Sequence, residues 1–559
     1  FRVHPPRVKQ AVARPASDGS AIVEVTLAPD KRLGTSLVVQ GADGSIRLRD
    51  DGRDGDAQAA DGVYSVPLPL SFALLKRQER VTLARRQALG LLTAPVYDGH
   101  ALVGQEKQVL RDVPDIVRFL FPVGSTHPNR TVLVTDTGVV EDPARTYNPC
   151  SGVASPGTRN GKWTFGYLMQ QMANQPATGV DPAELVLDWL NNWTSLQTVN
   201  GLDVSPRTAM HDLINRWPRD PVTHKLDLGR APVKLLAIVN RIDLAANVSY
   251  GMAGGAEGRF VFEILDDTCA PQQFLIILEY GVPRTSCIGL RNWALAWRAL
   301  DALPLGGAGY NAALEALTET FAHAGAGGAK TAGSAINQIR TNETMLLRNA
   351  DGGAQWELRE FALVPAGAGA RLAESTVKQT PDLPFNGRDG GFREADLATW
   401  INANQAAVLA ERHTVPATYP FPPGGGFLGG ATPNEEMFIP QLVLDYWVAP
   451  GIAMNLARHQ FSLNTCNGCH GEESGTRFTH VKIVPFGTAA GLSGFLTGET
   501  VHDPVDSSTA YSFNELGRRA VVLDHFADSS CGRIRTVQQS AVQVLPLPPM
   551  AYQPLPSTH

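Results

Sequence analysis

The sequence is short of several things, and each shortage excludes something. Among its 559 residues no apolar run approaches about 18, so no transmembrane span is expected. Charged residues make up 18% of the chain, against about 25% in an average soluble domain. With a net charge of −6 and a pI near 6.1 there is no excess of basic charge, so nucleic acid is not an expected partner. Six cysteines in such a length are too few for a small disulfide scaffold. Neither glycine-rich stretch, 306–309 or 325–328, is followed by Gly-Lys-Ser/Thr, so there is no P-loop. Also missing are a dinucleotide-binding Gly-x-Gly-x-x-Gly behind a strand, a Gly-x-Ser-x-Gly elbow and a His-Glu-x-x-His zinc motif. No internal repeat of solenoid period stands out.

What is there begins with enough apolar material, 43%, for substantial cores, and with 54 glycines and 39 prolines that predict many loops. Length predicts three or four domains. Residues 1–110 read as β, with alternating runs at 21–27, 37–40 and 63–68. Between them lies an Asp/Gly-rich segment, 50–64, in which Gly52, Gly55 and Gly62 suit tight turns. A second reading makes Asp51, Asp54, Asp56 and Asp61 a calcium site, although their spacing departs from the EF-hand pattern. Residues 111–434 are mixed. Helical periodicity marks 182–193, 205–217, 290–302, 311–324 and 394–412, with Ser205 as N-cap before Pro206. Strands are expected at 234–240, 259–265, 274–280 and 356–364. Trp293, Trp297 and Trp400 read as core. The Pro/Gly-rich stretch 412–434 is a linker or long loop, and an apolar helical segment opens the last region, 435–559.

One motif stands above the rest: Cys466-Asn-Gly-Cys469-His470, the Cys-x-x-Cys-His attachment pattern of haem c. Two thiols separated by two residues match the haem vinyl groups, with which they form thioethers. The adjacent histidine then supplies the proximal iron nitrogen. From the chain's own composition such a pattern arises by chance about once in 700 such sequences. The other readings are a Cys₂His₂ zinc site completed by His459 or His480, and a thioredoxin-like redox pair.

The segment Arg458-His459-Gln-Phe-Ser-Leu-Asn-Thr-Cys-Asn-Gly-Cys-His470-Gly, with Phe478-Thr-His480 after it, resembles a mono-haem c-type cytochrome centre. More narrowly it is similar to the haem segment of large exported bacterial proteins without an established activity. The segments 254–262, 337–343 and 376–381 also resemble that group. The Asp/Gly-rich N-terminal segment resembles immunoglobulin-like modules of the choice-of-anchor type, which implies a β-sandwich over residues 1–110. The expected architecture is a multidomain α+β protein: that sandwich, a mixed α/β body over 111–434, and a mainly helical haem c region over 435–559.

The second iron ligand is expected from His480, then Met550, then an upstream residue (His459, Met437 or Met454); an open position is the remaining choice. Four cysteines remain. Cys269 and Cys287 flank a predicted strand and are expected to pair, which leaves Cys150 with Cys531. Arg477, Arg518, Arg519, Arg533 and Arg535 are offered as partners for haem propionates. Covalent haem and disulfides both point to a periplasmic or extracellular protein whose leader has been removed. The expected function is electron transfer with a redox partner protein or a small-molecule donor or acceptor. The alternatives are a haem peroxidase or oxygenase, and a surface-assembly protein in which haem is subordinate. Whether the chain is an enzyme, and its oligomeric state, are not legible.

Overall fold

The computed structural model describes five strands within residues 8–71, the isolated residues 50 and 58, and most of 126–528. Within that last span, 200–201, 205, 247–255, 283–285, 344–355, 368, 376, 378, 388–390, 410–412, 430–445 and 477 lie outside the description. So do Asp51, Asp54, Asp56 and Asp61 of the calcium expectation, and Met437, Met550 and Cys531.

The N-terminal strands are β1 (Val8–Pro15), β2 (Ser20–Leu27), β3 (Ser36–Gly41), β4 (Gly44–Arg49) and β5 (Val63–Ser71). They form one antiparallel sheet in the order β1-β2-β5-β4-β3.

The body is built on a seven-stranded sheet. Its strands are β6 (Leu133–Val134), β9 (Val233–Arg241), β10 (Ala256–Leu265), β11 (Pro271–Val282), β12 (Ile336–Glu343), β13 (Glu357–Ala366) and β14 (Gly369–Ser375). Their order is β14-β13-β12-β11-β10-β9-β6, antiparallel throughout. A small hairpin of β7 (Gln197–Val199) and β8 (Leu202–Val204) stands apart. Sequence periodicity found β9, β10, β11 and β13 within a few residues. It missed β12, whose Asn337, Gln338, Arg340 and Asn342 break the apolar pattern of a strand.

Both faces of this sheet are buried, so its strands carry few exposed residues to betray a period of two. On one face Phe260, Phe262, Phe274, Ile276, Leu278, Ile339 and Phe361 meet five helices. These are α1 (Phe165–Ala173), α2 (Pro182–Leu190), α3 (Thr208–Arg216), α4 (Cys287–Ala299) and α5 (Ala308–Ala322). Trp189, Trp193, Trp293 and Trp297 lie in this core, as expected of the Trp293/Trp297 pair. The third helix starts at Thr208 behind Arg207, later than the Ser205 cap predicted.

The other face is covered by the C-terminal segment. Leu236, Ala237, Val239, Val261 and Leu275 of the sheet share a core with Leu463, Cys469, Val481, Phe495, Tyr511, Leu516 and Ala520. The segment contains α7 (Asn455–Leu463), α8 (Cys466–Cys469), the hairpin β15 (Glu499–His502) and β16 (Ala510–Phe513), and α9 (Glu515–Asp528). The residues of the Cys-x-x-Cys-His motif therefore rest on the body's sheet. The predicted helix 394–412 is interrupted at Asn404, giving α6 (Glu394–Ala403) and a following turn of helix. The described part of the Pro/Gly-rich stretch is an irregular loop, yet Val415, Tyr419 and Phe427 are buried with Trp400 and Phe461.

The cysteine pairing departs from expectation. Cys150 is bonded to Cys269, and Cys287 is disulfide-bonded to neither of them. A Cys269–Cys287 bridge is ruled out by the strand between them. The twelve residues of β11 are extended and span roughly 40 Å, whereas bridged Cα atoms lie about 4.4–6.8 Å apart. Cys269 occupies the tight turn between β10 and β11 with a φ of 65°, which brings it to Cys150 at a Cα separation of 5.7 Å.

Candidate functional site

The motif is held by its own two intervening residues. Thr465 caps α8: its hydroxyl accepts from the Gly468 N–H (3.1 Å) and donates to the Ser462 carbonyl (2.6 Å). Glycine is required at 468 by close approach, because a Cβ there would lie 2.0 Å from the Ser462 carbonyl oxygen. Trp447 Nε1–H donates to Asn467 Oδ1 at 2.7 Å. The Cys466 N–H donates to Thr380 Oγ1 at 2.9 Å. Both cysteines are thiols and both are fully buried. They enter different apolar clusters: Cys466 lies with Trp356, Leu358, Val377 and Phe478, and Cys469 with Val261, Leu275 and Phe495. Burial pushes the Cys466 thiol up to about 11.

His470 closes the helix, and its ring is fixed by a carbonyl. Nδ1 lies 2.7 Å from the Phe478 oxygen. A carbonyl only accepts, so Nδ1 carries the proton and the lone pair is on Nε2. Phe478 takes up a φ of 58°, sparsely populated for a bulky residue, and so turns its carbonyl toward the imidazole. The same oxygen accepts from Asn342 Nδ2 at 2.5 Å, and Asn342 Oδ1 accepts from Trp356 Nε1–H at 3.0 Å. Trp356 packs against both His470 and Phe478, with ring centres 5.6 and 5.7 Å away. Burial holds His470 down at about 4, with Lys482 and Arg340 contributing, so it is neutral at pH 7.

His480 is brought beside His470, with ring centres 4.5 Å apart and planes inclined at 55°. Its Nδ1 lies 2.8 Å from Ser493 Oγ and its Nε2 3.7 Å from Cys469 Sγ. With metal–nitrogen bonds of about 2 Å, two imidazoles on one metal have ring centres about 5 Å apart at a tetrahedral angle and about 6 Å apart when opposed. At 4.5 Å the two rings pack as neighbours. Burial, His470, Arg519 and Lys482 all lower the proton affinity of His480.

His459, the upstream candidate, is committed elsewhere. It is bonded through Nδ1 to the Glu473 carboxylate and stacks on Tyr511 at 3.5 Å and 8°. Arg458 grips Glu473 with two bonds of 2.8 Å and Asp503 with one of 2.9 Å. Burial pushes the Glu473 carboxyl up, but the charges of His459 and Arg458 outweigh it and hold Glu473 at about 2. Met454, the other upstream candidate that is described, precedes α7 and packs half-buried at the edge of the Trp400 cluster.

The donor set fits haem c better than zinc. It offers two thiols two residues apart in sequence and a neutral imidazole with its lone pair on Nε2. Among the described residues, no three of Cys466, Cys469, His470, His459 and His480 gather their ligand atoms as a zinc site needs. The one cluster that does gather is His459, Glu473 and Asp503, and a guanidinium already occupies it.

The residues that surround the motif are far away in sequence. Val261, Arg340, Asn342 and Thr380 come from the stretches 254–262, 337–343 and 376–381 that share the resemblance. Sequence reasoning gave them no role. Their signal was polar residues inside a strand, Arg340 and Asn342, where burial demands partners. His413 was missed altogether: it is buried among Trp400 and Phe461 with neither ring nitrogen hydrogen-bonded.

No protein-family model matches the chain, and no curated protein and no solved structure is significantly similar to it.

Proposed function

We propose that this chain is an exported protein carrying one haem c, joined by thioethers to Cys466 and Cys469 with His470 as proximal ligand, and that it exchanges single electrons with a redox partner. The observation that carries the reading is the bond from His470 Nδ1–H to the Phe478 carbonyl. Metal-binding histidines characteristically give their other ring N–H to a carbonyl or carboxylate, which fixes the tautomer and raises ligand basicity. Bound here, haem supplies a one-electron ferrous/ferric couple.

The chain's own residues divide the remaining work. Asn342 and Trp356 hold the Phe478 carbonyl, and through it the plane of the His470 ring. Trp356, Leu358 and Val377 keep water from the Cys466 side, and a dry surround tunes the potential of a redox centre. His480, held by Ser493, lies too close to His470 to share a metal with it as placed, and its ring would have to swing away from His470 to serve as a second iron ligand. The Cys150–Cys269 bridge supports an oxidising compartment, periplasmic or extracellular.

The test is the absorption spectrum of the purified chain with cyanide and carbon monoxide. Low-spin spectra that neither ligand changes are expected. A high-spin ferric spectrum that shifts with both, together with rapid reaction with peroxide, would overturn electron transfer in favour of a peroxidase or oxygenase.

A further inference from the structure

Arg519 lies on α9, 4% exposed, and its side chain makes no hydrogen bond and no ion pair among the described residues. Its Nε is buried without an acceptor. A guanidinium presents five donors and stays charged, so burial without an anion is costly. Its neighbours do not supply that anion. Glu515 is bonded to Arg518 at 2.8 Å, and Asp243 to Arg241 at 3.1 Å and Arg518 at 3.7 Å. These carboxylates act on Arg519 only through space. Burial and the Arg241 charge pull its pKa down to about 9.

The position of this cation is specific. Leu516 and Ala520, on either side of it along the helix, pack in the same cluster as Cys469 and Phe495. The Phe495 ring is 5.0 Å from His480, and the Arg519 charge is felt at the His480 ring. An orphan guanidinium thus lies on the helix that packs against the motif's cluster, within electrostatic reach of His480. What it lacks is a planar anion able to take two parallel N–H bonds, which is the geometry of a carboxylate.

We propose that Arg519 is the seat of one tetrapyrrole propionate, drawn in beside His470 and His480. This rests on the haem reading above. Of the five arginines offered by the sequence, Arg518 is already paired with Glu515 and Asp243. Arg477, Arg533 and Arg535 lie outside the described residues.

The test compares Arg519→Met and Arg519→Lys in the full chain with and without haem, the haem-free background being Cys466→Ala/Cys469→Ala. Without haem, Arg519→Met removes an unpaired buried charge, and the chain unfolds at a higher temperature than its parent. With haem, the same substitution strands the propionate: unfolding moves to lower temperature and the reduction potential falls. Arg519→Lys recovers part of the potential. A shift of the same sign in both backgrounds, with an unchanged potential, overturns the assignment while leaving covalent haem intact. Should the haem-free double variant not fold, the potentials of the two haem-bearing Arg519 variants decide alone. If the parent shows no haemochrome band, the haem reading itself fails and the propionate seat falls with it.

Discussion

Replacing Asn342 by alanine should loosen the motif without touching it. The Asn342 side chain joins two groups, accepting from Trp356 Nε1–H and donating to the Phe478 carbonyl. The substitution leaves the indole N–H, on a residue 3% exposed, without its acceptor. The Phe478 oxygen keeps its bond from His470. One orphaned buried donor costs about 1–3 kcal/mol, and one further lost hydrogen bond about 1. A local destabilisation of about 2–4 kcal/mol corresponds to a roughly 30- to 700-fold rise in the open fraction of this region. The Cys466 thiol reports that opening directly, because it is fully buried and reacts only when Trp356, Leu358, Val377 and Phe478 part. Labelling of haem-free protein with a thiol reagent, under conditions where reclosing outpaces reaction, should therefore accelerate by that factor. An acceleration under about threefold would refute the claim that Asn342 anchors Phe478 and the motif.

Other perturbations have equally definite outcomes. Arg458→Met leaves Glu473 and Asp503 buried without their shared cation and should cost about 3–5 kcal/mol in denaturant unfolding. The folded-state pKa of Glu473 is depressed to about 2, so its stabilisation is present above its ordinary value near 4.5 and is lost as pH falls toward 2. Stability measured across that acid window should be flatter in the variant than in the parent. His413 is held neutral by burial, with its pKa near 4 instead of 6.5, so the unfolded chain takes up its proton first and the fold loses stability as pH falls from 6.5 through 4. His413→Phe removes two unsatisfied nitrogens from an aromatic cluster, and should raise the unfolding temperature and reduce the loss of stability over that pH range. Cys150→Ser opens a bridge between residues 119 apart and should cost about 2–5 kcal/mol, with peptide mapping of the parent recovering Cys150 linked to Cys269.

The legible parts of this molecule were those whose signal is local. The motif, the helices 182–190 and 308–322, and four strands of the large sheet carry their pattern within a dozen residues. The pairing of Cys269 was misread because sequence distance was taken for spatial distance. Eighteen residues that include a twelve-residue strand separate their ends, whereas the tight turn at Cys269 meets a cysteine 119 residues upstream. The support of the motif was illegible for a related reason. Asn342 matters because register places it opposite Leu275 and Leu358 on the face that receives Phe478. Arg340 was similarly opaque, since its value depends on Glu279 and Glu360 from two other strands. Glu473 carried no readable role until Arg458 and His459, one helix earlier, were seen to converge on it.

Covalent haem at Cys466 and Cys469 is the central proposal. The measurement is a pyridine haemochrome spectrum, with intact mass, of the chain secreted in a host that attaches haem c. A c-type haemochrome band and a mass raised by one haem are expected. Both should be lost in Cys466→Ala/Cys469→Ala. A folded chain with two unmodified thiols at these positions and no haemochrome band would contradict that proposal.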